Sequence, residues 1–232
     1  MTDIEINIAD EILERPYAFE YRGRYFYLYR PTLGKIMLLG RLFGELGISQ
    51  ELLQTSVQVE MMRLVEQKRD YVVRIIAYST MREKKDIFSA KAMKSRCDMF
   101  AEMDDADLAA LLQYVLTMDR TNEYEAHYNL AEEYKKLMKL QEAKDNGNNI
   151  VLCGKSIWGT LVDPVCERYG WTMDYVVWGI SYVNLQMLLK DQMQNIYFSD
   201  EEAKKAGIFK RKGAIKADDP NNKEIILNNW KN

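Results

Sequence analysis

Residue types able to do chemistry are few and scattered in this sequence. His127 is the only histidine. That removes histidine-based metal clusters and leaves any Ser-His or Cys-His nucleophile dependent on one imidazole. It sits among Glu123, Tyr124 and Tyr128 in a charged helical stretch, where a solvated histidine is the simpler reading. The three cysteines Cys97, Cys153 and Cys166 are odd in number and widely spaced, which fits neither a disulfide framework nor a zinc knuckle, so they read as reduced, buried thiols. Gly154-Lys155-Ser156 has the ending of a phosphate loop, but Asn149 stands where its first glycine should be and Ile150-Val151-Leu152-Cys153 reads as a strand. The acids Asp104, Asp105 and Asp107, and the pair Asp218-Asp219, suit helix starts and turns better than acid–base catalysis. No catalytic residue, metal ligand or cofactor is expected.

The elements that would position such residues begin as β structure. Ile4, Ile6 and Ile8 alternate with polar residues, and the runs Tyr17–Tyr21 and 24–30 flank Arg22-Gly23 as a hairpin, with Gly23 supplying a positive φ. Tyr25, Tyr27 and Tyr29 share one face of the second strand, and Phe26 and Leu28 the other. From Leu33 the period becomes helical. Thr32 can cap the first helix, Gly47 can end it, and Ser49 can start a long second helix over 50–80, with a bend near Lys68-Arg69-Asp70. Asp86 reads as the cap of a helix through Met103, Asp104-Asp105 open the next, and these helices should pack as a bundle. Over 123–144, Tyr124, Tyr128, Ala131, Tyr134 and Met138 form a stripe on a charged helix.

Segment 145–149, Asp-Asn-Gly-Asn-Asn, is the clearest break in the chain. The expected fold is mainly α: an N-terminal β-hairpin region (1–31), a helical bundle (32–144), a smaller aromatic helical region (150–198), and a polar tail with a terminal docking segment (199–232). Beyond the break, 156–169 and 172–191 read as two helices, with Pro164 disturbing the first, Gly170 stopping it and Thr172 capping the second.

Composition bounds the class of function. The 232 residues are 47% hydrophobic and 29% charged, with 12 glycines and 4 prolines, the profile of an ordinary helix-rich globular protein. The formal net charge of −3 provides no field that would draw the chain to nucleic acid or an anionic membrane. The basic residues between Lys204 and Lys212 lack interleaved aromatics, with only Phe209 among them. No signal peptide and no run of about 18 apolar residues appears, so a cytoplasmic location with neither membrane nor nucleic-acid binding is expected.

The segment 157–189 stands out. It holds Trp158, Trp171 and Trp178, three of the four tryptophans, together with Tyr169, Tyr175 and Tyr182. Apolar residues cover nearly every face of the helix expected over 172–191, so its own fold or a partner must bury them. Gly179 would let another backbone approach closely. The terminal Ile225-Ile226-Leu227 and Trp230 pose the same choice on a smaller scale.

The stretch Tyr169-Gly-Trp-Thr-Met-Asp-Tyr-Val-Val-Trp-Gly-Ile-Ser-Tyr-Val-Asn-Leu-Gln-Met-Leu-Leu-Lys-Asp191 resembles the tryptophan-rich C-terminal helix of tail assembly chaperones and related small tail-gene products of long-tailed bacteriophages and prophages. Segment 19–30, followed by Pro31-Thr-Leu-Gly and a helix, is similar to the start of such proteins. The resemblance implies a non-enzymatic protein of the host bacterial cytoplasm that coats an apolar tape-measure protein during virion assembly while tail-tube subunits polymerise around it. The residues expected to bind the partner are Trp171, Tyr175, Trp178, Tyr182, Leu185 and Trp230. Two alternatives stay open: a permanent structural component of a virion or tail, and an enzyme whose carboxylates converge from distant positions. Oligomeric state is open too, since the same aromatics serve monomers, dimers and rings.

Overall fold

The computed structural model describes residues 2–144, 155–191 and 196–207. The fold is mainly α, with one two-stranded antiparallel hairpin near the N-terminus. The described residues fall into two compact units, one drawn from Met1–Leu130 and Val151–Gln192, the other from Ala131–Ile150 and Met193–Asn232. The polar break at 145–149 and the tail from residue 208, with Trp230, lie outside the described residues.

The first unit opens with helix α1 (Asp3–Ile12), where the alternation of Ile4, Ile6 and Ile8 suggested a strand. Capping decides between the two: the Thr2 backbone N–H donates to the Glu5 carboxylate at 2.7 Å, and Asp3 and Glu5 place negative charge in the first turn. Ile4, Ile8 and Ile12 then fall at i, i+4 and i+8, one face of a helix.

Strands β1 (Tyr17–Tyr21) and β2 (Arg24–Leu28) pair with Tyr17 opposite Leu28 and Tyr21 opposite Arg24. Arg22 and Gly23 both take positive φ, 54° and 70°, as a two-residue hairpin turn matching strand twist requires. Phe26 and Leu28 are buried while Tyr25 and Tyr27 face out, as the alternation predicts.

Helix α2 (Leu33–Leu46) is capped by the Thr32 hydroxyl and ended by Gly47 at φ 64°. The helix expected over 50–80 is two: α3 (Gln50–Thr55), capped by Ser49, and α4 (Val57–Ser79), capped by Ser56. The Ser56 cap makes the separation, because its hydroxyl accepts the Val59 N–H in place of a continuing helical turn. The expected bend is present, with Lys68 at φ −136°. A short turn, α5 (Lys84–Ile87), precedes α6 (Ala90–Phe100), so the cap of α6 is Ser89 and not Asp86. Asp104 caps α7 (Asp105–Leu116), and α8 (Thr121–His127) follows.

The main core lies where α4 packs on α7, α2 and α6. Leu28, Leu39, Leu64, Ile75, Phe100, Leu108 and Leu112 are its buried heart. Phe19, Phe26 and Phe100 gather under the hairpin, the last two edge to face with centroids 5.2 Å apart.

The aromatic region belongs to this same unit and does not stand apart from the bundle. A π-helical turn (Trp158–Val162) runs into α10 (Asp163–Tyr169) at Pro164, and Gly170, at φ 65°, ends it. The single helix expected over 172–191 is again two, α11 (Met173–Trp178), capped by Thr172, and α12 (Tyr182–Lys190), capped by Ser181. A second core cluster of Leu33, Val162, Val165, Val176, Ile180 and Leu185 joins these helices to the start of α2. The Tyr182 N–H donates to the Pro31 carbonyl at 2.7 Å. Ser181, 1% exposed, both accepts the Asn184 N–H through its hydroxyl and donates its own N–H to Glu14 Oε1 at 2.6 Å. Ser181→Ala is expected to lower the stability measured by urea unfolding by about 1 kcal/mol, the usual cost of a lost N-cap.

In the second unit, α9 (Leu130–Ala143) carries the ion pairs Lys135–Glu132 and Lys136–Glu133 along one exposed face, and Tyr134 and Met138 are exposed. Helix α13 (Asp200–Lys205) is capped by Ser199 with Glu202 returning to the Ser199 N–H.

Candidate functional site

The residues expected to meet a partner are divided by the fold between surface and core. Trp171 is half-buried, stacked on Tyr169 with centroids 4.8 Å apart and meeting Tyr175 edge to face at 5.0 Å. Tyr175 is exposed. Tyr182 is half-buried in α12, beside the second core cluster. Trp178 turns inward: its indole lies over Gly34 of α2, so close that a Cβ there would come within 2.7 Å of the ring, and Phe88 meets it edge to face at 5.5 Å. Leu185 is fully buried, a core residue and not a contact residue. Four residues after the cap Ser181, it packs in one cluster with Leu33 and Val176. Gly179 accommodates the ring of Tyr175 from its own chain, so its missing Cβ serves internal packing and not an approaching backbone.

Other residues of the same unit form an open groove. Ile8, Glu11 and Ile12 of α1, Tyr124 and Tyr128 at α8, and Ile180 with Asn184, Met187 and Leu188 of the α12 segment line a largely apolar groove of about 500 Å³, together with Asp191. Three links hold its walls: Asn184 Nδ2 donates to the Glu11 carbonyl at 3.0 Å, Tyr124 Oη donates to the Asn7 carbonyl at 3.4 Å, and Lys190 pairs with Glu125. Ile12 is 68% exposed, and the neighbouring Leu13 is exposed as well. Apolar side chains lining a concave surface in this way are unusual on a protein that works alone.

Glu11 lies against the groove. It is 2% exposed, and its carboxylate stands 3.3 Å from Arg30 Nε without a hydrogen bond to either oxygen. Burial pushes its pKa up to about 7; Arg30 pulls the other way, while Glu14 and Asp119 add to the rise. Near neutral pH the groove therefore adjoins a carboxyl group that is half ionised.

The sequence singled out neither Glu11 nor Ile12, while Ile180, Met187 and Leu188 stood out only as part of the helix over 172–191 whose apolar faces its own fold or a partner must bury. A second signal was the tyrosine stripe beginning at Tyr124 and Tyr128, which the fold breaks at Asn129, φ 54°, so that Tyr124 is buried and Tyr128 borders the groove.

Chemistry-bearing residues elsewhere are accounted for locally. His127 is exposed beside Tyr128. Asp104 caps α7 and Asp105 pairs with Arg69. Cys97 and Cys166 are half-buried free thiols, that of Cys97 pushed up in pKa by burial. Cys153, Gly154 and the pair Asp218-Asp219 lie outside the described residues. Among the described residues, no group of three His, Cys, Asp or Glu side chains is placed to hold a metal ion, and no helix is long and apolar enough to cross a membrane. Comparison with known proteins is negative on three counts: no family model matches the chain, and no curated protein or solved structure is significantly similar to it.

Proposed function

We propose that this chain is a non-enzymatic protein-binding protein that acts as a tail assembly chaperone, masking an apolar helical segment of a tape-measure client in the host cytoplasm until tail-tube subunits replace it. One observation carries the reading: the apolar groove between α1, α8 and α12, with Ile12, Tyr128 and Leu188 reachable from solvent. A groove of this kind accepts an amphipathic helix through side chains at i, i+3 or i+4, and i+7. Asp191, the exposed carboxylate among the lining residues, favours a client helix that carries a lysine or arginine beside its apolar stripe. Exposed Tyr175 and half-buried Trp171 form a separate aromatic contact outside the groove lining.

Co-expression with a tape-measure protein tests the proposal. The client is expected to stay soluble and co-purify with the native chain. Ile12→Asp and Leu188→Asp should each weaken its capture at least about tenfold, since each leaves an unpaired charge against apolar surface. Both positions are solvent-exposed, so their unfolding midpoints should stay close to that of the native protein. Equal capture by native and substituted chains would refute the groove as the client site. Purified particles separate this role from that of a permanent tail component: a chaperone is absent from them, whereas a structural subunit is present in fixed stoichiometry.

A further inference from the structure

A second concavity, which shares no lining residue with the client groove, carries three cations. Lys35, in the first turn of α2, is 2% exposed, yet among the described residues its ammonium has no carboxylate and no hydrogen-bond acceptor. It lies 5.5 Å from the centroid of the Tyr29 ring, and the Arg82 guanidinium lies 5.9 Å from the same ring. Arg82 likewise makes no ion pair among the described residues. Tyr29, Arg30, Thr32, Lys35, Arg82 and Trp178 surround a cavity of about 80 Å³. Tyr29 and Arg82 also line a wider cleft of about 580 Å³ together with Arg24 and Arg96 and the carboxylates Glu83 and Asp86, which gives room for the remainder of a ligand.

Native groups do not neutralise this cavity. Arg30 is set against Glu11 at 3.3 Å. Glu14 is the one carboxylate among the lining residues, and its Oε1 is engaged by the Ser181 N–H. Three cations against Glu11 and Glu14 leave one positive charge with both acids ionised, and two when Glu11 is protonated. Burial, with Arg82 adding to it, pushes the Lys35 pKa down to about 8, the behaviour of a buried ammonium that lacks a counter-charge. Buried charges are ordinarily paired, so an unpaired one facing a cavity marks the place of a missing anion. The volume suits one planar or tetrahedral oxyanion group and is far too small for a nucleotide. The amide groups at the start of α2 favour the same sign of ligand.

We propose that Lys35, Arg82 and Arg30 form a binding site for a single small oxyanion group, a carboxylate or a phosphate, seated in the cavity between β2, α2 and the Trp178 indole.

The test is thermal unfolding and calorimetric titration of the full chain with acetate and, separately, with inorganic phosphate, each against chloride at equal ionic strength. At least one oxyanion is expected to raise the unfolding midpoint by about 2 °C or more over chloride, and the one that does identifies the preferred geometry. Lys35→Met and Arg82→Gln should each abolish that increment, while Arg24→Gln, in the outer cleft, should keep it. Because Arg82 is exposed, its variant carries the test even if Lys35→Met fails to fold. No increment with either anion, or an increment retained in Arg82→Gln, overturns the proposal. The client groove is untouched by these substitutions, so failure here leaves the chaperone reading standing, and the converse also holds.

Discussion

Glu11→Gln is expected to make the protein about 3 kcal/mol more stable at pH 8, with the gain vanishing below about pH 4.5. The sign follows from the direction of the shift. Folding raises the Glu11 pKa from 4.5 to about 7, so between those values the native state holds a proton that the unfolded state has released. Stability linked to Glu11 is therefore complete below pH 4.5, falls as pH rises to about 7, and stays lost above that. The amide variant is neutral throughout and should show none of this slope. Lys35 titrates outside the window: its native pKa of about 8 lies below its unfolded value of 10.5, so its contribution rises only across the alkaline range. Urea unfolding of both proteins at pH 4.5 and pH 8 provides the measurement, and equal pH slopes would show that Glu11 is not the group responsible. Client binding should follow the same titration, because ionisation places a charge beside an apolar surface.

Trp178→Ala should cost about 3 kcal/mol, the range for emptying an aromatic site in a partly enclosed position. Gly34→Ala in the native background should cost about 1–3 kcal/mol, since its methyl group would collide with the Trp178 indole. The two losses should not add. With the indole gone, the methyl group enters vacated space and alanine is the better helix former, so Gly34→Ala is expected to become neutral or stabilising by up to about 1 kcal/mol. Urea unfolding of the four proteins completes the cycle, and simple additivity would mean that the ring does not rest on Gly34. A large loss for Trp178→Ala alone also assigns this tryptophan to packing.

Much of the fold was legible because the signals that mark it are local. Thr32, Ser49, Asp104 and Thr172 each accept a backbone N–H where a helix was expected to begin, and Gly23, Gly47 and Gly170 take positive φ where the chain was expected to turn or stop. Errors arose where two periods fit the same letters. Ile4, Ile6 and Ile8 satisfy a strand, while Ile4, Ile8 and Ile12 satisfy a helix, and the Glu5 return to Thr2 breaks the tie. Serines at 56 and 181 looked like ordinary helical residues until their hydroxyls were seen to cap new helices. The groove was out of reach for another reason. Its walls come from α1, α8 and α12, and no spacing along the chain records that Ile12 and Leu188 line the same concavity. Burial of Glu11 and Lys35 is equally non-local, since charged residues in a sequence read as surface.

The bond from the Ser181 N–H to Glu14 spans 167 residues, and that from Asn184 to the Glu11 carbonyl spans 173. At roughly 5–20 residues per second, a ribosome needs on the order of 10–30 s to deliver α12 after α1 has been made. For that interval Ile8, Ile12 and the Glu11 carboxyl wait without the wall that encloses them. The hairpin and the α4–α7 core can assemble during translation, whereas the client groove cannot exist before the aromatic segment arrives. A nascent chain stalled short of residue 181 should therefore be able to fold its bundle and yet lack the groove proposed to hold a client.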